Sequence, residues 1–100
     1  MPSALIRFDG PIGEFESLVA GAASGSGCAV IVDLSGRDSV DSVALASLVG
    51  ADKTVRSAGG RMALVAPSPA AQRMLERTGL LGRFEIHESA ESAAVSLRAT

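Results

Sequence analysis

The stretch Val30–Gly50, VIVDLSGRDSVDSVALASLVG, decides how this chain is read. An apolar run from Ala29 to Leu34, with Val-Ile-Val at its centre, suits a strand buried on both faces, as in the interior of a parallel sheet. A short acidic turn follows, and then a helix from about Ser42 to Ser57. Its apolar stripe is Ala44, Leu48, Ala51 and Val55, widened by Leu45, while Asp52, Lys53 and Arg56 read as solvated. Gly59-Gly60 closes the helix by supplying a positive φ. Asp41 fits the N-cap, where its carboxylate accepts a first-turn amide. Ser42 then falls in the first turn with its hydroxyl pointing outward.

Working outward, Ala4 to Phe8 reads as a short strand ended by Asp9-Gly10-Pro11. Glu14 to Ala23 places Phe15, Leu18, Val19 and Ala22 on one helical face. Ser24 to Gly27 is a break within one core, too short for a linker. Downstream, Arg61 to Ala66 is a strand, and Ser68-Pro69 opens a helix as N-cap and first helical residue. Thr78-Gly79-Leu80 closes that helix. Phe84 to His87 is a short strand, and a last helix runs from about Glu88 or Ser89 to Leu97. The order βαβαβαβα implies right-handed crossovers. The expected fold is a single α/β domain over residues 1–100, with a mostly parallel or mixed sheet of four to five strands and about four helices.

Composition excludes several function classes. A net charge of −2 gives no electrostatic footprint for nucleic acid. Hydrophobic residues make up 47% of the chain, but aromatics amount to three Phe, so Ala, Val, Leu and Ile must build the core. The single cysteine, Cys28, allows no internal disulfide and fits a reducing compartment. Cys28 and the only histidine, His87, form no metal-ligand cluster. The opening MPSALIRFDG lacks the basic region and apolar run of a signal peptide, and no apolar run reaches membrane-span length. A cytoplasmic, non-enzymatic protein without cofactor or membrane contact is the expectation.

Asp41-Ser42 has two readings from the residues alone. Both residues are common at helix starts, so pure capping suffices. Alternatively, Ser42 is phosphorylated, which adds roughly −1.5 to −2 charges beside Asp38 and Asp41 and repels a docked partner. Asp33 at a strand end invites comparison with a receiver domain, but Lys53, the only lysine, lies inside a helix. Gly25-Ser26-Gly27 precedes a strand and is followed by no Gly-Lys-Ser/Thr, so it is no phosphate loop. His87 has no nucleophile near it in sequence. Val43, Ser47, Gly50 and Thr54 recur at helical spacing on a face apart from the core stripe, which suits either close approach by another backbone or local packing.

Three segments together resemble the STAS family, the fold of bacterial anti-sigma factor antagonists. They are Ile31–Gly50, Ala58–Leu80 (AGGRMALVAPSPAAQRMLERTGL) and Phe84–Ala93 (FEIHESAESA). The resemblance implies that an anti-sigma factor serine kinase, supplying ATP and Mg²⁺, is the partner. It also implies that Ser42 is the phosphorylated residue, with Asp38, Ser39, Asp41, Val43 and Ser47 at the partner interface. A second copy of the chain is a further candidate partner. The alternative within the family is a constitutive scaffold subunit of a stress-signalling or lipid-transport complex, with Ser42 as a cap only. Antagonists commonly read Asp-Ser-Ser-Gly; here Val43 and Ala44 stand at the last two positions.

Overall fold

The structure is a computed structural model that describes residues 3–23, 29–36, 40–79, 82 and 84–98. Eight elements alternate along it: β1 (Ser3–Arg7), α1 (Ile12–Ala22), β2 (Ala29–Asp33), α2 (Ser42–Ser57), β3 (Arg61–Val65), α3 (Pro69–Arg77), β4 (Glu85–His87) and α4 (Ala90–Arg98). The strands pair in sequential order, β1-β2-β3-β4, and every pairing is parallel. The α/β class with four strands and four helices is as expected; no antiparallel strand appears among the described residues.

Alternation along the strands sorts their side chains onto two faces. Ile6, Val30, Val32, Met62 and Leu64 join Phe15, Val19, Leu48, Val55 and Leu75 in the main core under α1, α2 and α3. Sequential strand order with right-handed crossovers keeps those three helices on one side. Ala29, Ile31, Ala63 and Val65 face the other way and meet Ala93 and Leu97 of α4. α4 folds back across β2 and β3. Small side chains on both partners let it lie close. Phe8 and Phe15 stack with centroids 4.1 Å apart and tie the end of β1 to α1.

Local signals were reliable at the helix ends. Ser68 Oγ accepts the Ala71 amide at 3.1 Å, with Pro69 at the first position of α3. Gly59 and Gly79 adopt φ of 81° and 74°. The start of α1 is two residues earlier than expected, with Pro11 as N-cap; proline's fixed φ suits that entry. Cys28 and Leu80 lie outside the described residues.

Two burial expectations fail. Leu18 is 49% exposed, because α1 lies over the edge of the sheet and Leu18 sits on its outer flank. Asp52, read as solvated, is 1% exposed. Arg56, one turn on, brings Nε to 3.1 and 3.2 Å from its two carboxylate oxygens, which lets the charge be buried while the guanidinium stays half in water. Removing Arg56 takes away the guanidinium that offsets the burial of the Asp52 carboxylate. Arg56→Ala should therefore cost about 1–3 kcal/mol in urea denaturation, more than an exposed Arg→Ala elsewhere.

Candidate functional site

The C-terminal ends of β1, β2 and β3 form one rim of the sheet, and the β2–α2 connection rises from it. Beyond Asp33 the chain still follows the sheet: the Leu34 amide donates to Val65 O at 3.0 Å, and Leu34 is fully buried. Asp33 Oδ1 accepts the Ser35 amide at 2.9 Å, and Arg7 Nε lies 3.8 Å from Oδ2. Hydrogen bonding from Ser35, with a smaller contribution from Arg7, holds the Asp33 carboxyl below its ordinary value of 3.8. A depressed folded-state pKa gives stability that is present above the unfolded pKa and lost as pH falls through the folded one. Acid unfolding below pH 3.8 should thus be shallower for Asp33→Asn than for the wild type, as read by circular dichroism against pH.

Gly36 passes against the β1–α1 turn. A Cβ built there would sit 2.7 Å from Asp9 Cβ, closer than real Cβ atoms come. Glycine is thus required by a close approach that no local pattern announces. Residues 37–39 lie outside the described residues, and with them Asp38 and Ser39.

Val40 re-enters the core, 4% exposed, one residue before the helix cap. Asp41 Oδ1 accepts the Ala44 amide at 2.8 Å, and Leu45 N–H donates to Asp41 O at 2.9 Å. Val40 and Leu45 join the same cluster, the arrangement of a hydrophobic staple that fixes the entry angle of a helix. Val40 was missed in the sequence; an apolar residue just before the cap, with Leu45 five further on, was the available signal.

Asp41 and Ser42 are both exposed. Ser42 is the first residue of α2, and its hydroxyl makes no hydrogen bond among the described residues. The Ser42 and Val43 amides precede the first intrahelical bond. A phosphate on Ser42 would meet these donors and the positive end of the helix dipole. Val43 is 62% exposed next to it. The site thus has an exposed hydroxyl, an acidic cap and an exposed apolar side chain on one turn.

Ser47 does not belong to that exposed turn. It is buried, and its Oγ is shielded from solvent without a hydrogen-bond partner among the described residues. It stands in the wall between α1 and α2, beside a cleft of about 170 Å³ lined also by Glu16, Ala20, Gly50 and Thr54. Of the two readings of this face, packing holds at Ser47, where α1 lies beside α2 and covers it, while Gly50 and Thr54 stay exposed. An unpartnered buried hydroxyl opposes folding, so Ser47→Ala should leave stability unchanged or raise it by up to about 1 kcal/mol. Gly50 has open space where a Cβ would be, so Gly50→Ala should stabilise by about 0.5–1 kcal/mol on urea titration.

His87 serves elsewhere. Its Nε2 lies 2.8 Å from Glu85 Oε1, and Glu85 also accepts from Arg61 Nη2 at 2.8 Å and from Ser96 Oγ. This network ties β3, β4 and α4 together on the face away from α2. No cluster of three metal-ligating side chains occurs among the described residues. No helix among them is long and apolar enough to cross a membrane.

Comparison with known proteins agrees with this architecture. A crystal structure of a Thermotoga maritima protein assigned as an anti-sigma factor antagonist, TM1081, superposes with a TM-score of 0.74 at 26% identity, covering 98% of this chain and 84% of that one. The NMR structure of TM1081 gives 0.74 at 24% identity, over 98% and 82% of the two chains. An anti-sigma-factor antagonist (STAS) domain protein from Planctomyces limnophilus gives 0.81 at 20% identity, over 94% and 89%. No curated protein sequence matches the chain. The sequence model of the STAS domain matches residues 5–93, nearly the whole chain, and with this strand order, this capped helix and these structural neighbours the chain belongs to the STAS domain family.

Proposed function

We propose that this STAS domain is an anti-sigma factor antagonist that docks an anti-sigma factor kinase at the start of α2 and is released when Ser42 is phosphorylated. The observation that carries the reading is Ser42 itself: an exposed hydroxyl at the first helical position, beside the hydrogen-bonded Asp41 cap. It can be modified without disturbing the fold, because the cap bond to Ala44 belongs to Asp41. Unmodified, the turn offers Val43 as an apolar contact and Asp41 as a hydrogen-bond acceptor. Asp38 and Ser39 flank it in sequence and belong to the proposed interface, whereas Ser47 supports α2 from behind.

Phosphorylation changes the partner's view of this turn more than the domain's own energetics. Within the domain the dianion is favoured by the helix terminus. Across an interface it adds negative charge to a surface already carrying Asp33 and Asp41, and desolvation on docking becomes costly. ATP and Mg²⁺ belong to the kinase; the domain contributes the acceptor hydroxyl and no catalytic group. Released from the antagonist, the kinase is free to hold its sigma factor again.

The test is phosphate transfer with a purified anti-sigma kinase encoded in the same genome, ATP and Mg²⁺. The expected result is one phosphate, mapped to Ser42 by mass spectrometry and absent from Ser42→Ala. Stable binding of the kinase with no transfer to wild-type protein favours the constitutive scaffold instead.

A further inference from the structure

β1 is an edge strand: it pairs with β2 on one side and has no strand on the other among the described residues. The direction of its backbone groups follows from the hydrogen bonding. The Phe8 amide donates to Asp33 O at 2.9 Å, so Phe8 points its backbone toward β2. Backbone direction alternates along a strand. Ala4 and Ile6 therefore bond β2, in keeping with the register Ala4↔Val30 and Ile6↔Val32, and Ser3, Leu5 and Arg7 turn their N–H and C=O groups outward.

The same edge is apolar on both sides. Below it, Leu5 is 57% exposed on the face opposite Ile6 and Phe8, beyond the cover of α4. Above it lies the outer flank of α1. Glu16 and Ala20 line the cleft toward α2, and Leu18, nearly opposite on the helical wheel, faces away from α2 over the edge. Edge strands in natural sheets are usually guarded by charge, proline or a bulge. β1 carries one charge, Arg7, at its end.

We propose that β1 is a dimerisation edge, pairing antiparallel with β1 of a second copy about a two-fold axis at Leu5. Only a register centred on an outward-facing residue lets both copies use outward groups, and Leu5 is the central one. The pairing opposes Leu5 with Leu5 of the partner subunit, and the outward groups of Ser3 with those of Arg7 of the partner subunit. The two sheets join into one of eight strands. Both arginines stay at opposite ends, about 14 Å apart along the strand, beyond the screening length of about 8 Å at physiological salt. Above the joint sheet the two α1 helices run antiparallel with Leu18 near the axis, and the two-fold sets Glu14 toward Gly21 of the partner subunit instead of its Glu14. Gly21 has open space where a Cβ would be, which admits the close approach. Backbone direction is thus self-complementary, as an isologous contact demands, and no like charges are opposed. The interface is small, and a dissociation constant of about 10–100 µM is expected.

The test is sedimentation of the full chain from low to high micromolar concentration, with cross-linking to fix the register. Wild type should move from monomer to dimer mass. Leu5→Lys, with two ammonium groups opposed, and Leu18→Glu should stay monomeric while keeping the wild-type circular dichroism. In a Cys28→Ser background, Leu5→Cys should form a disulfide dimer on diamide treatment, since a hydrogen-bonded antiparallel pair sets Cα atoms about 5.5 Å apart, within disulfide reach. Arg7→Cys should not. A wild type monomeric up to about ten times the expected dissociation constant, a dimer insensitive to Leu5→Lys, or cross-linking through Arg7→Cys and not Leu5→Cys would overturn the proposal.

Discussion

Phe15→Ala should cost about 3–5 kcal/mol, the range for truncating a buried aromatic side chain. Phe15 is 2% exposed and its ring stacks on Phe8, which is fully buried. In a chain with three Phe and no Trp or Tyr, no other aromatic contact can compensate, and the stack itself contributes about 0.5–1.5 kcal/mol beyond burial. A domain of this size has about 5–15 kcal/mol in all, so the variant should be partly unfolded at room temperature in modest urea. Equilibrium denaturation with an unchanged slope checks this. A loss below about 1 kcal/mol would show that the core under α1 closes without the ring stack.

The second large effect is at Gly36. Adding a Cβ forces it to 2.7 Å from Asp9 Cβ, and neither atom is the far end of a flexible side chain. Either the β1–α1 turn or the β2–α2 connection must move. Gly36→Ala should destabilise by about 1–3 kcal/mol, as overpacking does. Because Gly36 leads into the connection that delivers Asp41 and Ser42, the same change should weaken partner docking although Gly36 precedes them by five and six residues. Asp9→Gly removes the opposing Cβ and should restore most of the loss in the double variant. Additive losses in that cycle would mean that the two positions do not interact.

These two cases mark what the sequence could and could not show. The run at β2, the Asp41 cap, the Ser68-Pro69 start of α3 and the positive φ at Gly59 and Gly79 were all legible, because each is decided by a few neighbouring residues. Side-chain burial away from the strands was less so. Asp52 and Ser47 are polar residues that end up buried because Arg56 reaches one and α1 covers the other. Leu18 follows the apolar period of α1 and is still exposed, because α1 lies at the edge of the sheet. Periodicity gives an angle around a helix axis but not what stands opposite it. Nor does anything local require Ala66 to adopt φ of 52° at the end of β3, or Gly36 to meet Asp9.

The candidate site was legible for the same reason the cap was. Asp41 and Ser42 are adjacent, and the helix they open is marked by its own apolar stripe. Val40 was not seen because its role as an anchor appears only when it shares a core with Leu45. The departures from the common antagonist pattern also take on structural meaning. Ala44 is fully buried and holds the cap bond through its amide, so its side chain offers nothing to a partner. Val43 is the exposed one, and on the proposed reading partner specificity at this turn would rest on it.

Release of the partner by phosphate on Ser42 is read from the affinity of the anti-sigma kinase for two forms of this domain. Calorimetry with unmodified protein and with protein carrying phosphoserine at position 42 suffices. The unmodified form should bind tightly and the phosphorylated form about 100-fold or more weakly, with unchanged circular dichroism in both. Equal affinities for the two forms would contradict it.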